Sequence, residues 1–314
     1  MTSGPVIGIY AHHAGSGHLH RVRAIRERLA DPGAATIFSS RAGADVRLPL
    51  DTPGRPGSEA DPTAGGTLHY APLHVTGLST RLAVIADWIA AHRPRAFFVD
   101  VSVEVAAFVR LMGVPVVTLA MPGERPDPAH QLGYAQAAAI IAAWPDWVPV
   151  PGHLQAHADR LHCVGGITRL RPRPGIRRGR DLLVLRGAGG DDWDRAAFPP
   201  ATVLGGANRV EDPMPHLQAA GCVVAAAGQN SVADLAAARA PAIVLAQRRP
   251  FGEQTATARV LADAGLAVCP QAFPEPGDWA PLAELARQRA GNWERWQTEG
   301  AAGRAARIIE EVAR

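Results

Sequence analysis

Short apolar runs alternate with helical patterns along almost the whole chain. The runs PVIGIYA (5–11), ATIFSS (35–40), AFFVD (96–100) and PVVTLAM (115–121) lie in the first half. DLLVLRG (181–187), ATVLGG (201–206), CVVAAAG (222–228), PAIVLAQ (241–247) and LAVCP (266–270) lie in the second. Between them stand HRVRAIRERLA, TRLAVIADWIAAH, VEVAAFVRLMG, SVADLAAARA and QTATARVLADAG, with amphipathic or small-residue helical spacing. Parallel strands need a crossover between them, and a helix is the usual one. The alternation therefore predicts an α/β fold with parallel sheets. A shorter apolar run, AAAIIAA (137–143), is read as a helix preceding Trp144 and Trp147.

Two interruptions organise the chain. Residues 49–66, rich in Pro, Gly and Asp, read as a long surface loop. Residues 168–180, TRLRPRPGIRRGR, read as a linker. The expected layout is an N-terminal Rossmann-like domain over 1–167, a linker over 168–180 and a C-terminal domain over 181–314. The last helix is expected to pack back on the N-terminal domain. Each domain reads as a doubly wound sheet, and such sheets bind ligands beyond the carboxyl ends of their strands. Two of them place the ligand in a cleft.

Composition removes several chemistries. The 314 residues carry a net charge of +3, and all 32 basic residues are arginine. A Walker-type phosphate loop, a Schiff base and a lysine-held pyridoxal cofactor each need an ammonium and are excluded. The three cysteines, Cys163, Cys222 and Cys269, form no C-x-x-C pair, which speaks against a zinc site or a disulfide framework. No apolar run reaches the ~20 residues of a membrane span, and no charged leader opens the chain. No basic stripe interleaved with aromatics marks a nucleic-acid surface. The expected location is the cytoplasm, with the inner membrane face as a place of peripheral contact.

Two constellations carry chemistry. The first is YAHHAGSGHLHR (10–21), where the turn Gly15, Ser16, Gly17 ends in His18 at the start of a helix. Helix N-termini attract anions, and a histidine there can move protons. Asp100, ending the run AFFVD, is placed to orient that imidazole, with Ser102 and Glu104 as nearby substitutes. His12, His13 and His20 are read as structural or cleft-lining. The second constellation opens at Gly228, where Gln229, Asn230 and Ser231 begin a helix. Asp234 lies one turn in, where its carboxylate can take hydrogen bonds from two ribose hydroxyls. Glu253 and Gln254, an acid beside an amide, suit sugar hydroxyls that both donate and accept.

This second stretch resembles the donor-binding region of GT-B glycosyltransferases. It is similar to the family that adds GlcNAc to lipid-linked peptidoglycan precursor, and to the UDP-glycosyltransferases. Their pattern G-x-x-S-x-x-E, then P, then D/E-Q reads here as Gly228, Ser231, Asp234, Pro241, Glu253 and Gln254. The GSGH turn resembles the glycine-rich turn near the N-terminus of the same families. The resemblance implies a GT-B fold, two doubly wound Rossmann-like domains facing a cleft. It implies that Asn230 and Ser231 hold the diphosphate, Asp234 the ribose, and Glu253 with Gln254 the transferred sugar. Gly187, Gly189 and Gly190, after the first strand of the second half, match the family's other glycine turn. Two positions depart from the pattern: Asp234 stands where glutamate is usual, and Ala226 where the plant enzymes place a phosphate-binding histidine.

The resulting expectation is an inverting hexosyltransferase that moves a sugar from a UDP- or TDP-sugar to a small-molecule or lipid-linked hydroxyl acceptor. His18 is the general base and Asp100 its partner. No metal and no cofactor beyond the nucleotide sugar are expected. Asp191, Asp192 and Asp194 imitate a metal-binding DxD but read as acidic residues early in a helix. The arginine-rich linker reads as a solvated hinge, with contact to anionic lipid or to the donor diphosphate as the alternative, and Trp144 and Trp147 as core or interdomain packing, with an apolar acceptor site or a membrane-facing patch as the alternative. Two rivals share the fold. Gly15, Gly17, His18 and Arg21 also fit a G-x-G-H-x-x-R turn that activates water, as in a nucleotide-sugar hydrolase or epimerase. Ala226 and Asp234 fit a non-catalytic nucleotide-sugar-binding protein.

Overall fold

The structure is a computed structural model and describes residues 4–52, 60–187, 193 and 197–314. Strands β1 (Ile7–Ala11), β2 (Ala35–Ser39), β3 (Val46–Arg47), β4 (Ala96–Asp100), β5 (Val116–Ala120), β6 (Ala139–Ala142) and β7 (Leu161–Cys163) form one sheet in the order β3-β2-β1-β4-β5-β6-β7. Strands β8 (Leu182–Leu185), β9 (Ala201–Leu204), β10 (Cys222–Ala226) and β11 (Ala242–Leu245) form a second, in the order β11-β10-β8-β9. Every neighbouring pair is parallel. Every residue of β1, β4 and β5 is buried. That is why these strands are continuous apolar runs: helices cover both faces, so no alternation with polar residues is needed. The stretch 168–180 holds neither helix nor strand.

The run AAAIIAA is a strand, not a helix: Ala139–Ala142 is β6, paired with β5 and β7. Between β-branched Ile140 and Ile141 and its two neighbours, the small alanines give no helical face to bury. LAVCP pairs with the second sheet only at the bridge Ile243–Val268.

The helices that position the site are α1 (Gly17–Arg26), α2 (Thr76–His92), α3 (Val103–Leu111), α4 (Pro128–Gln136), α5 (Met214–Ala219), α6 (Gln229–Ala237), α7 (Glu253–Asp263), α8 (Trp279–Arg289) and α9 (Ala301–Val312). The last of them returns to the first sheet. Ala305, Ala306 and Ile309 of α9 share one apolar cluster with Ile7, Leu19, Val22 and Phe98, and α9 packs on α1, β4 and β6. Its start is set by Gly300 in the left-handed region at φ 71°, a conformation cheap only for glycine. Among the described residues, no helix is long and apolar enough to cross a membrane.

Because Ile309 is fully buried in that cluster, Ile309→Ala should destabilise the N-terminal half by about 2–5 kcal/mol, a loss of transfer energy plus a cavity. Urea unfolding followed by fluorescence checks it; a loss below about 1 kcal/mol would show that the helix is a removable appendage.

Candidate functional site

The strand order reverses between β1 and β4: β2 and β3 continue on one side, β5 to β7 on the other. The connections leaving the carboxyl ends of these two strands diverge and open a crevice. The GSGH turn leaves β1 and enters α1 there, and Asp100 is the last residue of β4. His18 Nδ1 lies 3.2 Å from Asp100 Oδ1.

Arg21, three residues along α1 and buried, completes the cluster. Its Nε and Nη2 donate to the two Asp100 oxygens at 3.3 and 2.9 Å. Nη2 also lies 3.2 Å from His18 Nδ1, and Nη1 donates to Gln229 Oε1 at 3.1 Å. Burial pushes the fully enclosed Asp100 carboxyl upward, but Arg21 and then His18 outweigh it and hold it at about 2. His18 Nδ1 thus faces an acceptor and a donor at once, and the tautomer decides which it bonds. Val101, just past Asp100, has φ 60°, a strained conformation for a β-branched residue. The sharp turn it makes lets Ser102 cap α3 by accepting from Val105 N at 3.2 Å.

Gln229 belongs to the other half. It opens α6, whose N-cap Gly228 makes no side-chain cap. The first N–H groups of the helix therefore point at the crevice without a side-chain acceptor, an arrangement that suits an anion. A Cβ on Gly17 would lie 2.0 Å from Asn230 Nδ2, so the Asn230 amide lies directly against this turn and a side chain here would have to displace it. Arg209 reinforces the approach by donating to Ser16 Oγ at 3.2 Å. So the turn that carries His18 meets the start of α6, with Gly17 against Asn230 and Arg21 on Gln229; Gly228 and Ser231 lie on that same start of α6. Asp234 is half-buried one turn along α6, where Thr168 Oγ1 donates to it. Burial raises its carboxyl to about 6 against the opposing effect of that hydrogen bond. Gly187 follows β8 with open space around it. Gly189, Gly190, Asp191, Asp192 and Asp194 lie outside the described residues.

Glu253 and Gln254 are already engaged. Gln254 Oε1 accepts from Ala227 N at 3.2 Å and Gln247 N at 3.0 Å, tying the end of β10 to the loop after β11. Glu253 Oε2 accepts from Arg125 Nη2 at 3.2 Å. Arg125 belongs to the N-terminal half, is buried, and stacks 4.4 Å from the Phe251 ring centroid. Gly123, at φ 90°, brings the two backbones together here; its Cβ would lie 2.2 Å from Phe251 O.

Behind Arg125 runs a relay that the sequence reading missed. Arg125 Nη1 lies 3.0 Å from His130 Nε2, His130 Nδ1 lies 2.7 Å from Asp127 Oδ2, and His69 Nε2 lies 3.0 Å from Asp127 Oδ1. The two histidines and the aspartate have metal-ligand chemistry, with ligand atoms within 4.8 Å of one another. The donor pattern argues for a hydrogen-bond relay instead. A guanidinium only donates, so His130 Nε2 accepts and Nδ1 carries the proton to Asp127. A metal on Nδ1 would turn Nε2 into an N–H facing an N–H. Burial lowers His130 to about 4, against the Asp127 hydrogen bond that raises it. The one legible sign was Asp127-Pro128, an N-cap followed by proline at N1.

Trp144 and Trp147 pack between the halves. Trp144 sits in the core, and Trp147 Nε1 donates to Arg295 O at 2.8 Å with its ring 6.1 Å from Trp296. With Phe251, Val148 and Val260 they wall a cavity of about 880 Å³.

Asp100→Asn should cost about 3–5 kcal/mol, because it strips a buried cation of its charge partner. The double variant Asp100→Leu, Arg21→Met should cost less than Asp100→Asn alone. Denaturant unfolding of the three proteins checks it. The sign with pH follows: a carboxyl lowered from 3.8 to about 2 contributes stability above pH 3.8, and wild type loses it as pH falls toward 2. The variants should lack that acid limb.

No family model matches the chain, and no curated protein sequence matches it. Solved structures do. The glycotransferase of kitacinnamycin is 15% identical with a TM-score of 0.65 over 99% of this chain and 100% of its own. A UDP-glucosyltransferase from Polygonum tinctorium is 15% identical with a TM-score of 0.68 over 100% of this chain and 99% of its own. MurG from Acinetobacter baumannii is 14% identical with a TM-score of 0.61 over 98% and 100%. At such identities the likeness speaks for the backbone alone, and over nearly its whole length the chain has the GT-B fold of the glycosyltransferases.

Proposed function

We propose that the protein is an inverting glycosyltransferase that moves a hexose from a UDP- or TDP-sugar to a hydroxyl acceptor. The observation that carries this reading is the His18–Asp100 pair at the reversal of strand order, facing the uncapped start of α6 across the crevice. A hydroxyl is a poor nucleophile until a base takes its proton. With Nδ1–H donated to Asp100, His18 Nε2 is that base, and Asp100 stabilises the imidazolium that forms. The N–H groups at Asn230 and Ser231 hold the diphosphate as negative charge grows on it. Asp234 accepts from the ribose. Glu253, steadied by Arg125, meets the transferred sugar, and Gln254 offers its amide nitrogen there while its oxygen ties the loops. Metal-free stabilisation of the leaving group is part of this reading, as is a cytoplasmic location. That the similar solved structures include UDP-sugar enzymes supports the donor class.

A specific observation favours one second reading: Arg21 touches both His18 and Asp100, as a G-x-G-H-x-x-R turn acting on water would require. In that case sugar is released from the donor without acceptor.

A thermal-shift screen of UDP-, TDP- and GDP-sugars tests donor binding. One nucleotide class should stabilise wild type and His18→Ala alike, by about 3 kcal/mol near 100-fold saturation. With that donor and an acceptor panel, His18→Ala should lower kcat by about 10²–10⁴. Free sugar released at a comparable rate without acceptor would give the hydrolase reading, and no shift with any nucleotide would overturn both. The Asp234 carboxyl at about 6 adds a pH dependence. Its ionised form accepts both ribose hydroxyls, so donor KM should fall as pH rises from 5 to 7, and Asp234→Asn should flatten that change.

A further inference from the structure

The Arg125 guanidinium is held along its edges and over its face. Nε donates to Pro122 O at 3.1 Å, Nη1 to His130 Nε2 at 3.0 Å and Nη2 to Glu253 Oε2 at 3.2 Å, and its face stands 4.4 Å from the Phe251 ring centroid. Pro122 and His130 belong to the N-terminal half, Glu253 and Phe251 to the C-terminal half. No described residue donates to the other carboxylate oxygen, Glu253 Oε1. Taking the transferase reading as its basis, we infer that His130 is a positioning residue for the transferred sugar: acting through Arg125, it sets the Glu253 carboxylate so that Oε1 meets a sugar hydroxyl.

A second carboxylate bonded to Arg125 would compete with Glu253 for its charge. A neutral imidazole does not: it turns the guanidinium and leaves the charge-assisted bond to Glu253 at full strength. Asp127 keeps the imidazole in that form. His69 Nε2 and His130 Nδ1, 3.1 Å apart, each meet their own Asp127 oxygen, at 3.0 and 2.7 Å. Asp127 is itself pinned as the N-cap of α4, accepting from His130 N at 3.1 Å. Burial pushes its carboxyl up, but the hydrogen bonds from His130 and His69 outweigh it and hold the group well below the usual carboxylate range. It is therefore an acceptor at neutral pH, the His130 proton stays on Nδ1, and Nε2 is left to accept from Arg125.

Backbone strain on the far side of the bond points the same way. Phe251 and Gly252, immediately before Glu253, sit in the left-handed region at φ 62° and 63°. For phenylalanine that conformation is strained, and it persists only where surrounding contacts over-determine it. Those contacts are the Arg125 guanidinium and the His130 ring, edge to face at 4.9 Å. Phe251 O also accepts from Glu124 N at 2.9 Å. The strained turn carries the start of α7, and Glu253 with it, onto the guanidinium that His130 orients.

The test measures, by calorimetry on full-length protein, Kd for UDP and TDP and for UDP-glucose, UDP-galactose, UDP-GlcNAc and TDP-glucose. The quantity read is the Kd of the free nucleotide divided by that of its tightest-binding nucleotide sugar. His130→Leu should lower this ratio about tenfold while Kd for the free nucleotide stays within about twofold. His130→Gln, whose Oε1 replaces Nε2 as the acceptor for Arg125, should recover most of the loss. In a Glu253→Ala background, His130→Leu should not move the ratio further. In wild type, two-bond proton–nitrogen NMR at neutral pH should show His130 as the Nδ1–H tautomer, a reading that needs no variant to fold. An unchanged ratio in His130→Leu, an equal loss for nucleotide and nucleotide sugar, no recovery in His130→Gln, or an Nε2–H or imidazolium His130 overturns the inference. So does a wild type that binds nucleotide but no nucleotide sugar. Any of these with nucleotide binding intact removes the positioning role alone; a wild type that binds none of the six compounds removes the transferase reading with it.

Discussion

A carboxylate with no access to water must be matched by a cation at bonding distance, and Asp100 is matched by Arg21. The first half of the site is built on that requirement. The fork of Arg21 on Asp100 fixes the first turn of α1 against the end of β4, and His18, on the same turn, is held beside the carboxylate as a result. The remaining guanidinium nitrogen reaches Gln229, so the same cation also ties the start of α1 to the start of α6. The left-handed Val101 is where the chain meets this demand: β4 must end at Asp100 and turn at once into α3.

A second tie, Glu253 with Arg125, joins the halves near Phe251, with the His130–Asp127–His69 relay behind it. Both ties run through arginine, which stands in place of lysine throughout this chain and whose planar fork suits two partners at once. At each tie a glycine marks the closest approach, Gly17 against Asn230 and Gly123 against Phe251. Trp147 and Trp296 pack elsewhere between the halves as an apolar contact.

Much of this was legible in order but not in partnership. The apolar runs gave most of the strands, because a parallel sheet covered on both faces leaves a continuous signature. AAAIIAA failed because a short apolar run fits a buried strand and a buried helix equally well, and only pairing with β5 and β7 separates them. His18 and Asp100 could be singled out because a glycine turn and a strand end are local features. The relay could not, since His69, Asp127 and His130 come from two segments some sixty positions apart with no fixed spacing. Glu253 and Gln254 were found by pattern, yet their oxygens face Arg125 and two backbone N–H groups.

The sequence by itself determined the layered α/β architecture, the turns at which the strands end and the absence of any ammonium chemistry, since each depends on neighbours along the chain. Tertiary structure decided which charges neutralise one another. Arg21 could have faced solvent, and Asp51 could have been one more residue of a loop. The first is instead the counter-ion of a buried carboxylate, the second that of Arg81. Burial makes an unpaired charge too costly to keep, and burial is a property of the folded chain alone.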